Sequence, residues 1–238
     1  PAGSRLVVVK LETSEPGLYG VGGATVTQRC RHVVTAIEEH LKPFLIGREV
    51  TRIEDIWQML MVNGYWRNGP VLNNAISGID QALWDIKGKR LNAPVWDLIG
   101  GKVRNKVRAI ALGVSGDTPS ECAEGAKKVM DQGFSALKFT PMPNNWAELT
   151  YSRMITLALE MVSAVRETVG WDFDIGIEIH RNMQPHEAIA FCKEVAYLKP
   201  YFIEDPIVPD SVESMANVSS KIGSITAPLP GTVLAIFY

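Results

Sequence analysis

The sequence predicts an α/β protein in two parts, an α+β domain at residues 1–102 and a region of alternating strands and helices at residues 103–238. Before Gly101, two short strand-like runs are followed by a series of helical patterns. After Gly101, strand-like and helical segments alternate along the chain. Such alternation is typical of a parallel sheet that is covered by helices.

The first part begins with a predicted β-hairpin. Its strand-like runs are Arg5–Glu12 and Leu18–Thr27, and residues 13–17 between them are rich in turn formers. The first of the helical patterns that follow is expected to end before Pro43, because proline cannot continue a helix. Thr51 and Glu54 have the spacing of a capping box, which would begin the second predicted helix. The predicted helices are Arg29–Leu41, Thr51–Val62, Val71–Leu91 and Val95–Ile99.

The second part alternates between strands and helices. Gly133 and Gly170 are expected to close its first two helices. The predicted strands are Val107–Leu112, Ser135–Phe139, Phe173–Ile179, Tyr201–Ile203 and a possible fifth at Ser224–Ala227. The predicted helices are Thr118–Gln132, Glu148–Val169, Pro185–Leu198 and Ser211–Lys221.

Composition and charge limit the possible partners. The 238-residue chain has a net charge of −2, so no overall positive field attracts nucleic acid or an anionic membrane. Its longest apolar runs are far shorter than the roughly 20 residues that span a bilayer. The three cysteines lie far apart and form no CxxC pair, which favours a reducing, cytoplasmic location. We therefore expect no nucleic acid partner and no membrane partner.

Two parallel architectures remain open for the second part. A doubly wound sheet would bind a nucleotide at a strand-to-helix turn, but the run Gly20-Val21-Gly22-Gly23 lies in the predicted hairpin and is a poor candidate for such a loop. A (β/α)₈ barrel needs roughly 250 residues, more than follow Gly101. Either the sheet is smaller than a barrel, or the chain is the front part of a longer protein.

Two neighbouring predicted strands end in glutamate. Glu178 falls at the end of one strand, and Glu204 directly follows the next. Because the carboxyl ends of parallel strands meet at one edge, both carboxylates are expected to face one cavity, where oxygen ligands suit Mg²⁺. His180 shares the face of Glu178 if the strand continues, which makes it a candidate acid or base. A single glutamate at a strand end is more often a solvated surface residue, and spacing alone leaves both interpretations open.

Four segments resemble one protein family, in the order in which the family carries them. They are Gly64–Lys89, Leu98–Arg104, Leu137–Phe139 and Phe202–Pro206. These segments resemble the enolase superfamily, and more narrowly its mandelate racemase/muconate lactonizing enzyme branch, near the mannonate and galactonate dehydratases. The resemblance covers residues 5–222.

The resemblance implies a two-domain enzyme, in which an N-terminal α+β capping domain closes over an enolase-type TIM barrel that is partial here. In the family, three acids at the ends of successive barrel strands bind Mg²⁺, which stabilises an enediolate formed when the proton next to a carboxylate leaves. By position, Glu178 matches the first ligand, with glutamate in place of the more usual aspartate, and Glu204 matches the second. His180 matches the histidine that protonates the departing 3-hydroxyl. The resemblance therefore implies a Mg²⁺-dependent acid-sugar dehydratase, a lyase acting on an aldonate such as mannonate or galactonate.

Three further residues are candidates for this site. Lys138 matches the strand where racemases of this branch carry a Lys-x-Lys pair, and a lysine with a lowered pKa can act as a base. The second position of the pair is Thr140, so a racemase is not favoured, and a structural role for Lys138 is equally open. Trp66 and Arg67 lie in a glycine-bounded loop of the capping domain and could close over a sugar acid, with the arginine binding its carboxylate. Packing is the more common role of such a pair.

The C-terminal sequence departs from the family pattern. No Asp or Glu follows Glu213, so the third metal ligand and the later strands that carry the family's base are not found. We expect a truncated or frame-shifted chain with open sheet edges, which forms a homo-oligomer or is poorly stable alone. A catalytically incomplete binding or regulatory member of the family is the second hypothesis. A racemase or cycloisomerase of the same branch is the third and weaker one.

Overall fold

The computed structural model describes residues 5–222 and 226–227 of the chain. The backbone divides into two compact units between Asn105 and Lys106. Across the described residues, no helix combines the length and the apolar character that crossing a membrane requires. Ser224, at the start of the last predicted strand, lies outside the described residues.

The first unit combines an antiparallel hairpin with helices, as the sequence predicts. The hairpin pairs β1 (Val8–Glu12) with β2 (Tyr19–Gly23). A π-helical turn at Ala36–Leu41 separates the first two helices. The helices are α1 (Cys30–Thr35), α2 (Lys42–Leu45), α3 (Ile53–Val62), α4 (Pro70–Leu91) and α5 (Val95–Leu98).

Glycines in β2 allow the hairpin to lie directly on α4. A Cβ on Gly20 would lie 1.9 Å from the carbonyl oxygen of Ala82, and a Cβ on Gly22 would lie 2.0 Å from that of Gly78. Only glycine permits so close an approach of strand and helix backbones. The glycine-rich run therefore serves strand–helix packing inside a hairpin, and it does not form a strand-to-helix turn.

Two predicted helix boundaries in this unit are wrong. The chain continues past Pro43 into α2, because this proline falls in the first turn, where its missing N–H costs no intrahelical hydrogen bond. The predicted capping box does not form, and α3 begins only at Ile53, after Arg52. The Thr51 hydroxyl instead donates to Glu49 Oε1 at 2.9 Å, so it is not available to the helix.

The second unit contains a five-stranded parallel sheet whose spatial order follows the chain. Helices connect its strands, and this arrangement confirms the predicted strand–helix alternation. The strands are β3 (Ala111–Val114), β4 (Ala136–Phe139), β5 (Asp174–Glu178), β6 (Phe202–Glu204) and β7 (Thr226–Ala227). The helices are α6 (Pro119–Asp131), α7 (Tyr151–Val169), α8 (Pro185–Val195) and α9 (Val212–Lys221), with 3₁₀ turns at Trp146–Glu148 and Ala196–Leu198.

The first strand of this sheet lies later in the chain than the sequence predicts. Val107, inside the predicted strand, is 80% exposed, whereas Ala111 and Val114 are buried in the core. The strand forms where apolar side chains become buried in the core, and the sequence of residues 107–112 alone does not show which of them those are. By contrast, the helix that follows begins as predicted, with a capping box between Thr118 and Glu121.

A buried arginine on α7 joins the loops that lead into β5 and β6. The residue is Arg166, which is 4% exposed. Its guanidinium donates to four backbone carbonyls, those of Gly170 (2.8 Å), Phe173 (2.6 Å), Leu198 (3.1 Å) and Lys199 (3.2 Å). Because these carbonyls precede the two strands that end in glutamate, Arg166 ties together the amino ends of β5 and β6.

Candidate metal and active site

Two glutamate side chains lie next to each other at the carboxyl ends of β5 and β6. Glu178 and Glu204 are partners in the register of the two parallel strands, so their side chains leave the sheet at the same level and on the same face. Both are buried, at 4% and 5% exposure. Two buried carboxylates side by side repel each other, and the pair therefore needs a shared positive charge.

Lys138 on β4 supplies a positive charge to this pair. Its Nζ lies 2.7 Å from Glu204 Oε2 and 3.0 Å from Glu178 Oε2, so one ammonium group bridges both carboxylates. The Lys138 side chain is 18% exposed, against 5% and 6% for its two partners. The lysine that the sequence marks as a candidate thus lies at the same place as the two predicted metal ligands.

Burial and neighbouring charges shift the pKa values of Lys138 and Glu204. Burial lowers the pKa of Lys138, but the hydrogen bonds and charges of Glu204 and Glu178 outweigh burial, and the pKa of Lys138 is raised above its usual value. Burial raises the pKa of Glu204, the charge of Glu178 adds to this, and the hydrogen bond from Lys138 opposes it. The raised pKa of Lys138 favours its ammonium form, which is the form that bridges the glutamates. Its predicted role as a base stays a prediction.

A glycine and an aromatic ring lie one layer below the two carboxylates. Gly176 pairs in register with Lys138 on one side and with Phe202 on the other. A Cβ at Gly176 would lie 2.6 Å from the tip of the Phe202 ring. The ring therefore fills the space that a side chain on β5 would otherwise occupy.

His180 lies beside the glutamates, but it reaches them by a turn. The strand ends at Glu178, and His180 has a φ of 55°, so the strand alternation that predicted its position does not extend to it. Its backbone N–H donates to Glu178 Oε1 at 2.9 Å. Its Nδ1 lies 3.1 Å from the Thr140 hydroxyl, which leaves Nε2 as the ring nitrogen that can face a ligand.

Sequence reasoning missed two residues that hold the strand ends together. Arg181 and Asp205 both have positive φ, at 65° and 45°, one at the end of each glutamate-bearing strand. Arg181 N–H donates to the Asp205 carbonyl at 2.7 Å, and its guanidinium lies 3.2 Å from the 4% exposed Asp205 carboxylate. Backbone conformations of this kind persist where surrounding contacts impose them, often at functional sites. The only available signal in the sequence was their position next to the predicted site residues.

Trp66 and Arg67 belong to the first unit. Trp66 is 88% exposed and contacts the neighbouring Tyr65 ring edge-on, with ring centroids 5.3 Å apart. The Nε of Arg67 donates to the Gly64 carbonyl at 3.3 Å. The exposed tryptophan does not form part of the core of its unit, and the predicted contact of this loop with a sugar acid stays a prediction.

The donor set of the cluster fits a hard divalent cation. Glu178 and Glu204 both direct an oxygen at a single cationic group, and carboxylate oxygens are ligands that Mg²⁺ prefers. Within residues 5–222, no group of three or more His, Cys, Asp and Glu side chains is arranged to hold a metal ion. The two glutamates could thus supply two oxygen ligands, and Mg²⁺ commonly completes its coordination with water or with oxygens of a substrate.

A capping α+β unit, followed by a parallel sheet with paired acids at its carboxyl edge, defines the enolase-type fold. Two family profiles match the chain: "Mandelate racemase / muconate lactonizing enzyme, N-terminal domain" over residues 2–100, and "Enolase C-terminal domain-like" over residues 121–229. The chain belongs to the mandelate racemase/muconate lactonizing enzyme branch of the enolase superfamily, which confirms the resemblance read from the sequence.

Curated relatives of the chain are named as acid-sugar dehydratases. A "D-galactonate dehydratase family member" of Enterococcus gallinarum is 39% identical over 234 residues, which is 92% of this chain and 58% of that protein. A "D-galactonate dehydratase" of Cronobacter sakazakii is 41% identical over 220 residues, 91% of this chain and 56% of that protein. The chain thus spans less than two thirds of the length of these relatives.

Solved structures show the same fold. An enolase from Pantoea ananatis, crystallised with D-gluconate and Mg, superposes with a TM-score of 0.85 at 35% identity, over 94% of this chain and 61% of that one. A putative dehydratase from Zymomonas mobilis superposes with a TM-score of 0.89 at 30% identity, over 95% and 63% of the two chains. These similarities confirm the predicted fold, a capping domain followed by an enolase-type barrel domain. This chain spans 61% and 63% of the two solved chains.

Proposed function

We propose that the protein is a Mg²⁺-dependent acid-sugar dehydratase, which removes water from an aldonate. The observation that carries this proposal is the convergence of Glu178 and Glu204 on one cationic position, with His180 beside them. The names of the relatives and the D-gluconate and Mg of the Pantoea structure support the substrate class and the metal. A cytoplasmic location and a homo-oligomeric state remain predictions.

Glu178 and Glu204 would hold the metal ion through their carboxylate oxygens. A bound dication supplies positive charge against the carboxylate of the substrate, which makes the neighbouring C2 proton easier to remove. The glutamates are positioned for this task before any ligand arrives, because the strand register sets them side by side and the Arg181–Asp205 contacts join the strand ends. The Phe202 ring packs against Gly176 in the layer below.

His180 is the proposed acid of the reaction. In a dehydration, the hydroxyl on C3 leaves as water and needs a proton, which an imidazolium can donate near neutral pH. The Thr140 hydroxyl on Nδ1 holds the ring, and Nε2 is then the nitrogen that carries the proton to the leaving hydroxyl. The C2 proton passes to a base and solvent returns a proton to His180, while the enol that results becomes a 2-keto-3-deoxy acid, so that the aldonate has lost one water.

The remaining candidates are proposed to act away from the reacting carbons. Arg67 is proposed to bind the substrate carboxylate, and Trp66 to cover the sugar chain, because both occupy an exposed loop of the capping unit. Lys138 contacts the two glutamates and is proposed to compensate their charge when no metal is bound. A base role for Lys138 requires that it first leaves them.

The proposed function is tested by a dehydration assay. The protein is incubated with D-gluconate, D-galactonate and D-mannonate in Mg²⁺ or in EDTA, and 2-keto-3-deoxy acid is measured. We expect product from at least one aldonate in Mg²⁺ and none in EDTA. Deuterium exchange at C2 without loss of water would instead indicate the racemase alternative. Absence of both reactions, in a folded protein that binds Mg²⁺, would indicate the non-catalytic alternative.

Replacing Thr140 by valine is expected to slow dehydration about 10- to 100-fold with little change in KM, the usual effect of losing a group that orients a site residue. Valine has the shape of threonine but no hydroxyl, so His180 Nδ1 loses its partner at 3.1 Å. Thr140→Ser is the matched control and should restore the rate. Nitrogen NMR of the His180 ring should show a mixture of tautomers in the valine variant alone. An unchanged tautomer in Thr140→Val would contradict the orienting role.

A further inference from the structure

We propose that Lys138 is a built-in competitor of the divalent cation, so that the ammonium group and the metal ion occupy the same two carboxylates in turn. This inference rests on the metal site of the proposed function. In this proposal, Lys138 forms ion pairs with both glutamates while no metal is bound, and it thereby lowers the affinity of the site for Mg²⁺.

The Lys138 ammonium group contacts the carboxylate oxygens that a bridging metal ion would use. The Nζ of Lys138 contacts Oε2 of both glutamates, at 2.7 and 3.0 Å. The other oxygen of Glu178, Oε1, already accepts the His180 backbone N–H at 2.9 Å. On Glu178, the oxygen without this backbone partner is therefore the one that the ammonium group contacts, and a metal ion that bridges the two Oε2 atoms would take the place of the ammonium group.

Charge and burial also disfavour the presence of both cations at the site. Two carboxylates and one ammonium group carry a net charge of −1 in a pocket where the carboxylates are 5% and 6% exposed. A dication in place of the ammonium group makes the glutamates neutral, but a dication beside it leaves two cations in contact in a poorly solvated space. Repulsion at such a distance is strong where water screens little. The two cations therefore exclude each other.

Lys138 is also better able to move than the two glutamates. Its ammonium group ends a flexible chain of four methylenes, and its side chain is 18% exposed, at least three times the exposure of either glutamate side chain. The carboxylates themselves stay in place, since their strands are paired in register. Metal binding is therefore expected to displace the lysine and leave the glutamates where they are.

The inference is tested by calorimetric titration of Mg²⁺ into the wild-type chain, Lys138→Met and Lys127→Met. Lys127 is the matched control, because its side chain is 64% exposed. Its replacement removes only an ion pair with Asp131, in which the nitrogen and oxygen lie 4.0 Å apart. We expect Lys138→Met to bind Mg²⁺ about 5- to 150-fold more tightly than the wild type, the usual range for two coupled sites. Lys127→Met should bind as the wild type does. In EDTA, Lys138→Met should unfold at a lower temperature than either, since its glutamates repel each other.

A measurement on the unmodified protein makes the test independent of how Lys138→Met folds. Lysines are labelled with a trace of acetic anhydride at increasing Mg²⁺, and labelling of Lys138 is compared with that of Lys127 by mass spectrometry. We expect Mg²⁺ to increase the relative labelling of Lys138 several-fold. Equal or weaker Mg²⁺ binding in Lys138→Met, or labelling that Mg²⁺ does not change, would overturn the competition while the metal site stands. Absence of Mg²⁺ binding in every variant would overturn the metal site itself.

Discussion

Replacing Glu204 by glutamine is expected to lower the affinity for Mg²⁺ by at least about 100-fold. Loss of a residue that only supports a metal ligand costs up to about 100-fold, and loss of a charged ligand itself should cost more. Glu204 is one of the two buried carboxylates that face a single cationic position. An amide keeps the shape of the side chain but carries no negative charge, and Mg²⁺ binds neutral oxygens less strongly than carboxylates. The measurement is calorimetric titration, and activity in the dehydration assay should fall with the affinity.

Two further variants make this result specific. Glu178→Gln should have the same effect, since the strand register makes the two glutamates equivalent. Glu160→Gln on α7 should have none, because its side chain is 46% exposed and lies in a surface ion pair. Metal-free Glu204→Gln should remain folded, since Lys138 keeps its contact with Glu178. A Glu204→Gln protein that binds Mg²⁺ as tightly as Glu160→Gln would show that the metal lies elsewhere.

Replacing Arg166 by methionine is expected to cost about 3–5 kcal/mol of unfolding free energy, because several buried carbonyls lose a charged donor at once. The guanidinium reaches the loops before β5 and β6, and its loss leaves the carbonyls of Gly170, Phe173, Leu198 and Lys199 without this partner. Methionine fills much of the volume but donates no hydrogen bond. Urea unfolding followed by circular dichroism measures the change.

The same helix offers a matched control for this prediction. Arg153 on α7 pairs with Glu160 at 3.6 Å, and both side chains are about half exposed. Exposed ion pairs contribute little, so Arg153→Met should change the unfolding free energy by less than about 0.5 kcal/mol. Arg166→Lys keeps the charge, but a lysine cannot reach all four carbonyls. Its loss of unfolding free energy should fall between those of Arg166→Met and Arg153→Met. Equal stabilities of Arg166→Met and Arg153→Met would contradict the bridging role of Arg166.

The sequence predicts the fold well where local signals and burial agree. The helix α6 begins where the sequence predicts, directly after Thr118, and the structure adds a capping box between Thr118 and Glu121. The strand-end glutamates were also recognisable, because consecutive parallel strands bring their carboxyl ends together. Prediction failed where a competing contact decided the outcome. Thr51 bonds to Glu49 instead of capping α3, and β3 follows core burial away from the apolar Val107.

The details of the site were harder to read from the sequence than its location. The bridge from Lys138 to two glutamates depends on the register of three strands, which no local pattern specifies. His180 was expected to share a face with Glu178 through strand alternation. It reaches the site instead through a turn with positive φ, which Arg181 and Asp205 accompany at the neighbouring strand ends. Such conformations are set by tertiary contacts, so propensity does not reveal them.

Anomalous diffraction from crystals soaked in Mn²⁺ tests the central claim most directly. Mn²⁺ takes the oxygen ligands that Mg²⁺ takes, and its anomalous signal locates it without reference to the protein. We predict one strong peak within bonding distance of carboxylate oxygens from both Glu178 and Glu204, with the Lys138 ammonium group moved away. A chain that binds Mn²⁺ at another place, or whose ammonium group still bridges both glutamates at saturating Mn²⁺, would contradict it.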